Sequence, residues 1–116
     1  MSRTDPLRIE DYLAHILEAI ARIQEYTSGM DRAVFMSDRK TCDAVIRNLE
    51  VVSEACNNIV KNHPHFAGEH VEVPWRFAYE MHNALSHGCL TVDVGIVWQT
   101  LQHDLPDLKD QIAALL

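Results

Sequence analysis

The chain has 116 residues, 47% of them apolar, and a formal charge of -7. This suits one domain with a single core over residues 1–116 and excludes a disordered chain. It also excludes a general nucleic-acid clamp, because phosphate affinity comes mostly from Lys and Arg, so any RNA contact needs a local basic patch against an acidic remainder.

Cys42, Cys56 and Cys89 form no CxxC pair, and the start of the chain carries Arg3, Thr4 and Asp5 rather than an apolar run. The expectation is a cytoplasmic protein with reduced thiols and no secretion leader. No apolar run approaches the ~20 residues of a membrane span.

Asp5-Pro6 is a helix-start signal, a side-chain acceptor followed by a residue that needs no N–H partner. Ile9, Leu13, Ile16, Ile20 and Ile23 then place one apolar stripe on a helix running to about Thr27. Ser28-Gly29 closes it, and Met30 to Met36 read as a loop. Ser37-Asp38 opens a second helix, on which Cys42, Val45, Leu49, Val52, Cys56 and Ile59 repeat the three-four spacing. Two long helices with a short connection should pack antiparallel. The two cysteines on the stripe read as small buried hydrophobes rather than reactive thiols.

Asn62-His63-Pro64 ends the second helix. His63 to His70 is a polar connection with a short helical turn allowed near Phe66. Its three histidines are read as solvated side chains, and no metal site is assigned, because a site needs a defined ligand geometry. Pro74 then takes the first turn of a third helix, with Ala78, Met81 and Leu85 on its apolar side and Gly88 at its end. Asp93 caps a fourth helix carrying Val94, Val97, Trp98 and Leu101. Asp104-Leu-Pro106 should break or kink it, leaving Leu105, Leu108, Ile112 and Leu115 on a last amphipathic helix. The predicted fold is all-α, a four- to five-helix up-and-down bundle.

The third helix carries the candidate chemistry. Asn83 and His87 are four apart and face the same way. His82 and His87 are five apart, roughly 140° around a helix and ~7.5 Å along it. They can cooperate only through a substrate or a symmetry mate, and they do not match the i, i+4 pair of a helical zinc site. Taken alone, His87 reads more readily as a helix C-terminal cap, and Cys89 as packing.

The whole chain resembles the HepT-like branch of the HEPN superfamily, the toxin halves of HEPN/minimal-nucleotidyltransferase pairs. The resemblance runs through Asp11-Tyr12-Leu13, Phe35-Met-Ser-Asp38, Ala44-Val-Ile-Arg47-Asn-Leu49 and Glu54-Ala55. It continues through Val73-Pro-Trp75-Arg76, Asn83 with His87-Gly88, Val97-Trp98 and Asp104-Leu-Pro106. The family motif is arginine, usually then asparagine, four to six residues, histidine, any residue and tyrosine. Here it falls on His82, Asn83, His87 and Cys89, so asparagine and histidine are kept while arginine and tyrosine are replaced.

The resemblance implies an endoribonuclease without metal or other cofactor, acting on RNA and not DNA. A 2′-hydroxyl attacks the adjacent phosphate in a cleft formed where two subunits of a homodimer meet. His87 suits the general base or acid, and Asn83 would orient it or the phosphate. His82 supplies only part of the missing arginine's charge, and losing one such preorganised charge costs roughly 10²–10³ in rate. The family tyrosine is where the nucleotidyltransferase antitoxin attaches AMP, and Cys89 has no phenol to accept it. Glu54 would support the site from the second helix, or serve only as a helix-packing polar residue. The alternative is a non-catalytic dimer that holds a nucleotidyltransferase or a nucleotide.

Overall fold

The apolar stripes predicted for the first two long helices become the central seam of the molecule. In the computed structural model, which describes residues 8–76, 81 and 94–116, α1 spans Ile9–Tyr26 and α3 spans Arg39–Asn62. Leu13, Ile16, Ile20 and Ile23 of α1 and Val45, Leu49, Val52, Cys56 and Ile59 of α3 are all buried. The Asn62 side chain, at the end of α3, donates to the Tyr12 hydroxyl near the start of α1 at 3.3 Å. Packed over their length, the two helices therefore run antiparallel, as their short connection predicts. The remaining described helices are α2 (Arg32–Ser37), α4 (Pro64–Glu69) and α5 (Val94–Ala113). The described residues are an all-α bundle, and none of their helices is long and apolar enough to cross a membrane.

Two local expectations are corrected, and a third falls outside the described residues. The first helix starts at Ile9, with Arg8 as an N-cap that makes no side-chain hydrogen bond. Asp5 and Pro6 lie outside the described residues. Acidic Glu10 and Asp11 in its first turn meet the helix dipole favourably instead.

Met30 to Met36 is not a loop: Arg32–Ser37 is helical. Asp31 caps it by accepting from the Val34 N–H at 2.8 Å, and Phe35 is wholly buried with its ring 5.2 Å from that of Trp98. A six-residue helix with one buried side chain shows no period. The short helical turn allowed near Phe66 is present as residues 64–69, with Pro64 in the first turn.

Pro106, lastly, does not break the chain into two helices; α5 runs through it. Val97, Leu101, Leu105, Leu108 and Ile112 form one continuous buried face. That seam outweighs the roughly 3 kcal/mol that an interior proline costs.

The junctions are built from caps. Gly29 adopts φ +78, closing the turn after α1. Asp38 accepts from the Thr41 N–H at 3.0 Å, starting α3 as predicted. The Cys42 thiol donates to the Phe35 carbonyl at 3.0 Å, tying α2 to α3.

Three predictions follow from this packing. Phe35→Ala should cost about 3–5 kcal/mol, read as a lower urea midpoint with an unchanged slope. Burial pushes the Cys56 thiol up to about 12 and raises that of Cys42. Neither should react with iodoacetamide until denaturant is added; mass spectrometry showing Cys56 alkylated in the native protein would contradict that packing.

The Thr41 backbone and side chain hold the Asp38 carboxyl below its ordinary 3.8. A depressed carboxyl stabilises the fold above its unfolded value, and this is lost as pH falls through the folded value. The stability gap between wild type and Asp38→Ala should therefore be full at neutral pH and narrow below 3.8.

Candidate active site

The segment that leads into the predicted motif is held by one carbonyl. The His70 carbonyl oxygen accepts from the Val73 N–H at 3.2 Å and from the Trp75 indole Nε1–H at 3.0 Å, using both lone pairs of one acceptor. Val73 and Trp75 are both buried in the core. Across the same turn, the Gln111 side-chain amide donates to the Glu72 carbonyl at 3.0 Å, pinning residues 70–75 to the last turns of α5. Pro74 therefore precedes a fixed start: Trp75 and Arg76 are helical, and so is Met81, which packs against the core. The apolar side predicted for the third helix is thus seen at Met81.

His82, Asn83, His87 and Cys89 lie outside the described residues, as do Ala78, Leu85, Gly88 and Asp93. Glu54 sits on the exposed side of α3, next to buried Ser53. Among the described residues nothing hydrogen-bonds or ion-pairs with it. His65 lies 3.5 Å from Glu69 and His70 lies 3.3 Å from Glu72. Among the described residues, no group of three His, Cys, Asp or Glu side chains converges as a metal site would.

Two grooves flank Pro74, and their electrostatics differ. The first, of about 340 Å³, lies between α3 and α5 over Leu49, Val52, Met81 and Leu108, with Glu72, Asp104 and Asp107 also lining it. Three carboxylates give it the wrong sign for a phosphodiester. The second, of about 680 Å³, runs along the end of α3 and α4. Its described lining includes Val60, Val71, Pro74 and Trp75 with Asn57 and Arg76. No described residue lining it carries a carboxylate. Spacing could not reveal this groove, since Asn57 and Arg76 belong to separate elements; the only sequence signal nearby was Val73-Pro-Trp75-Arg76.

Trp75→Phe keeps the ring and removes the donor to His70. It should cost about 0.5–1.5 kcal/mol, the net worth of one hydrogen bond, measured by urea denaturation. No loss of stability would mean that the indole bond does not hold the segment.

The chain was compared with known proteins. The family model described as "Ribonuclease HepT-like" matches residues 16–115. "Probable ribonuclease HepT" of Thermococcus cleftensis is 41% identical over 91% of this chain and 94% of its own length. A Methanocaldococcus jannaschii protein named "Gamma-glutamylcyclotransferase and putative RNase" is 35% identical over 93% of this chain, which spans only 47% of that protein. A "Putative RNase" of Caldanaerobacter subterraneus is 31% identical over 90% of this chain and 91% of its own length. No solved structure matches the chain.

Proposed function

Because this chain belongs to the HepT-like ribonuclease family of the HEPN superfamily, we propose that it is a cytoplasmic homodimer that cuts RNA in a cleft shared by two subunits. One observation carries this reading. The family match over residues 16–115 includes the motif positions, and there the sequence keeps Asn83 and His87 in family order and spacing.

The reaction is an in-line displacement. A base, assigned to His87, takes the proton of the 2′-hydroxyl. The 2′-oxygen bonds to the adjacent phosphorus as the P–O5′ bond breaks, and the 5′-oxygen leaves with a proton. The products are a 2′,3′-cyclic phosphate and a 5′-hydroxyl. An imidazole titrating near neutrality suits both proton steps, and Asn83 orients it or the phosphate. The scheme assigns no step to a metal. On the exposed side of α3, Glu54 is proposed to support the site indirectly.

His82 stands where the family has arginine, so the pentavalent charge meets a fractional cation in place of a fixed fork. The rate should be attenuated. Cys89 cannot accept AMP through a phenol, so a minimal nucleotidyltransferase antitoxin would silence this toxin by binding rather than by modification at that position.

Purified protein incubated with a generic RNA, with and without chelator, should yield cyclic-phosphate ends in both cases, and His87→Ala should abolish them. Product that survives the substitution comes from another site. Restoring the fork with His82→Arg should raise the rate by up to roughly 10²–10³.

The same two substitutions, His82 and Cys89, favour a second reading: a non-catalytic dimer that binds a nucleotidyltransferase or a nucleotide. Wild type that cuts nothing between about pH 5 and 8, the range in which imidazoles titrate, establishes that reading instead.

A further inference from the structure

We propose that the groove between α3 and α5 binds an aliphatic polyamine, with its ammonium groups on Asp104, Asp107 and Glu72 and its methylene chain on the apolar wall. The site is separate from the ribonuclease reading and does not rest on it.

Charge argues first. Asp104 and Asp107 line the groove, three apart on α5 and both exposed, so they stand on one side of the helix. Among the described residues neither makes a hydrogen bond or an ion pair. Glu72 lines the groove from the turn before Pro74. One of its oxygens lies 3.3 Å from His70 Nδ1, and a carboxylate has acceptor sites to spare. No Lys, Arg or His stands among the described lining residues. The sequence on either side of Met81, residues 77–80 and 82–93, contains no Lys or Arg either. One surface carboxylate holds a cation weakly, but several of one sign in a cleft with apolar walls focus their field there.

Unmet polar groups argue second. Ser53 lines the same groove and is 2% exposed. A serine inside a helix can return its hydroxyl to the carbonyl four residues back. Thr100, also in the lining, does so, donating to the Ile96 carbonyl at 3.0 Å. The Ser53 hydroxyl has no such bond and no other partner among the described residues. Gln111, a further lining residue, has its amide fixed by donation to the Glu72 carbonyl at 3.0 Å, and its Oε1 is buried without a donor. Oxygen atoms short of donors call for a ligand rich in them, and an ammonium group carries three donors and no acceptor.

Shape argues third. Leu49, Val52, Leu105 and Leu108 supply the apolar wall. The volume, about 340 Å³, is near the lower end of small-ligand sites, ~300–1,000 Å³, and suits a slender chain. A metal ion brings charge but no apolar surface, and a nucleotide brings the wrong sign. Methylene segments between ammonium groups meet all three features at once.

The probe is spermidine, titrated into the purified full chain by calorimetry in salt of about 0.15 M, where loose surface pairing is screened. Wild type should show one saturable site. Asp104→Asn combined with Asp107→Asn should weaken it about tenfold or more, as expected for hydrogen bonds to charged groups. Asp43→Asn combined with Asp110→Asn removes the same charge from exposed positions outside the described lining, and should change affinity by less than about twofold. Ser53→Ala should weaken binding about threefold without lowering the urea midpoint, since the lost hydroxyl bonds to no described residue. The midpoint also confirms that each variant is folded.

Equal weakening in the two paired variants, or displacement of spermidine by magnesium ions at matched charge, overturns the site in favour of a loose counter-ion. Wild type without saturable binding overturns it outright, and leaves the nuclease reading untouched.

Discussion

A single carbonyl, that of His70, fixes the turn that precedes the motif-bearing segment. It accepts the Trp75 indole N–H and the Val73 N–H together, and both of those side chains are sunk in the core. A buried indole must find an acceptor, and this one lies in the turn that starts the segment. The anchor therefore couples core packing to site placement. Val73 and Trp75 belong to the same core cluster as the α1–α3 seam, the Gln111 amide holds the other side of the turn, and Met81 packs against that core.

Much of the bundle was legible because long helices repeat their burial pattern many times. Cys42 through Ile59 mark α3 six times over, and Asp38 marks its start. The errors fall where one local rule had to speak alone. Phe35 is the only buried residue of α2, and one apolar residue has no period. Pro106 was read by backbone propensity, and the buried face running from Val97 to Ile112 overrode it.

The candidate site divides in the same way. Asn83 and His87 were singled out because the chain resembles a family, not because helical spacing demands chemistry there; spacing alone left His87 more readily a cap. The second groove was not readable at all. Asn57 lies on α3, Val71 follows α4 and Arg76 lies beyond Pro74, so the groove exists only after folding. The same fold separates charge. Among the described residues, carboxylates line the groove between α3 and α5, while Arg76 lines its neighbour.

The proposal that two subunits share one catalytic cleft, each giving an imidazole, is most directly tested by mixing. Wild-type chains are denatured and refolded with increasing shares of His87→Ala chains at constant total concentration, and RNA cleavage is measured against composition. If both copies of His87 serve one cleft, activity falls as the square of the wild-type fraction. A linear fall would mean that each subunit works alone, and would contradict the shared cleft.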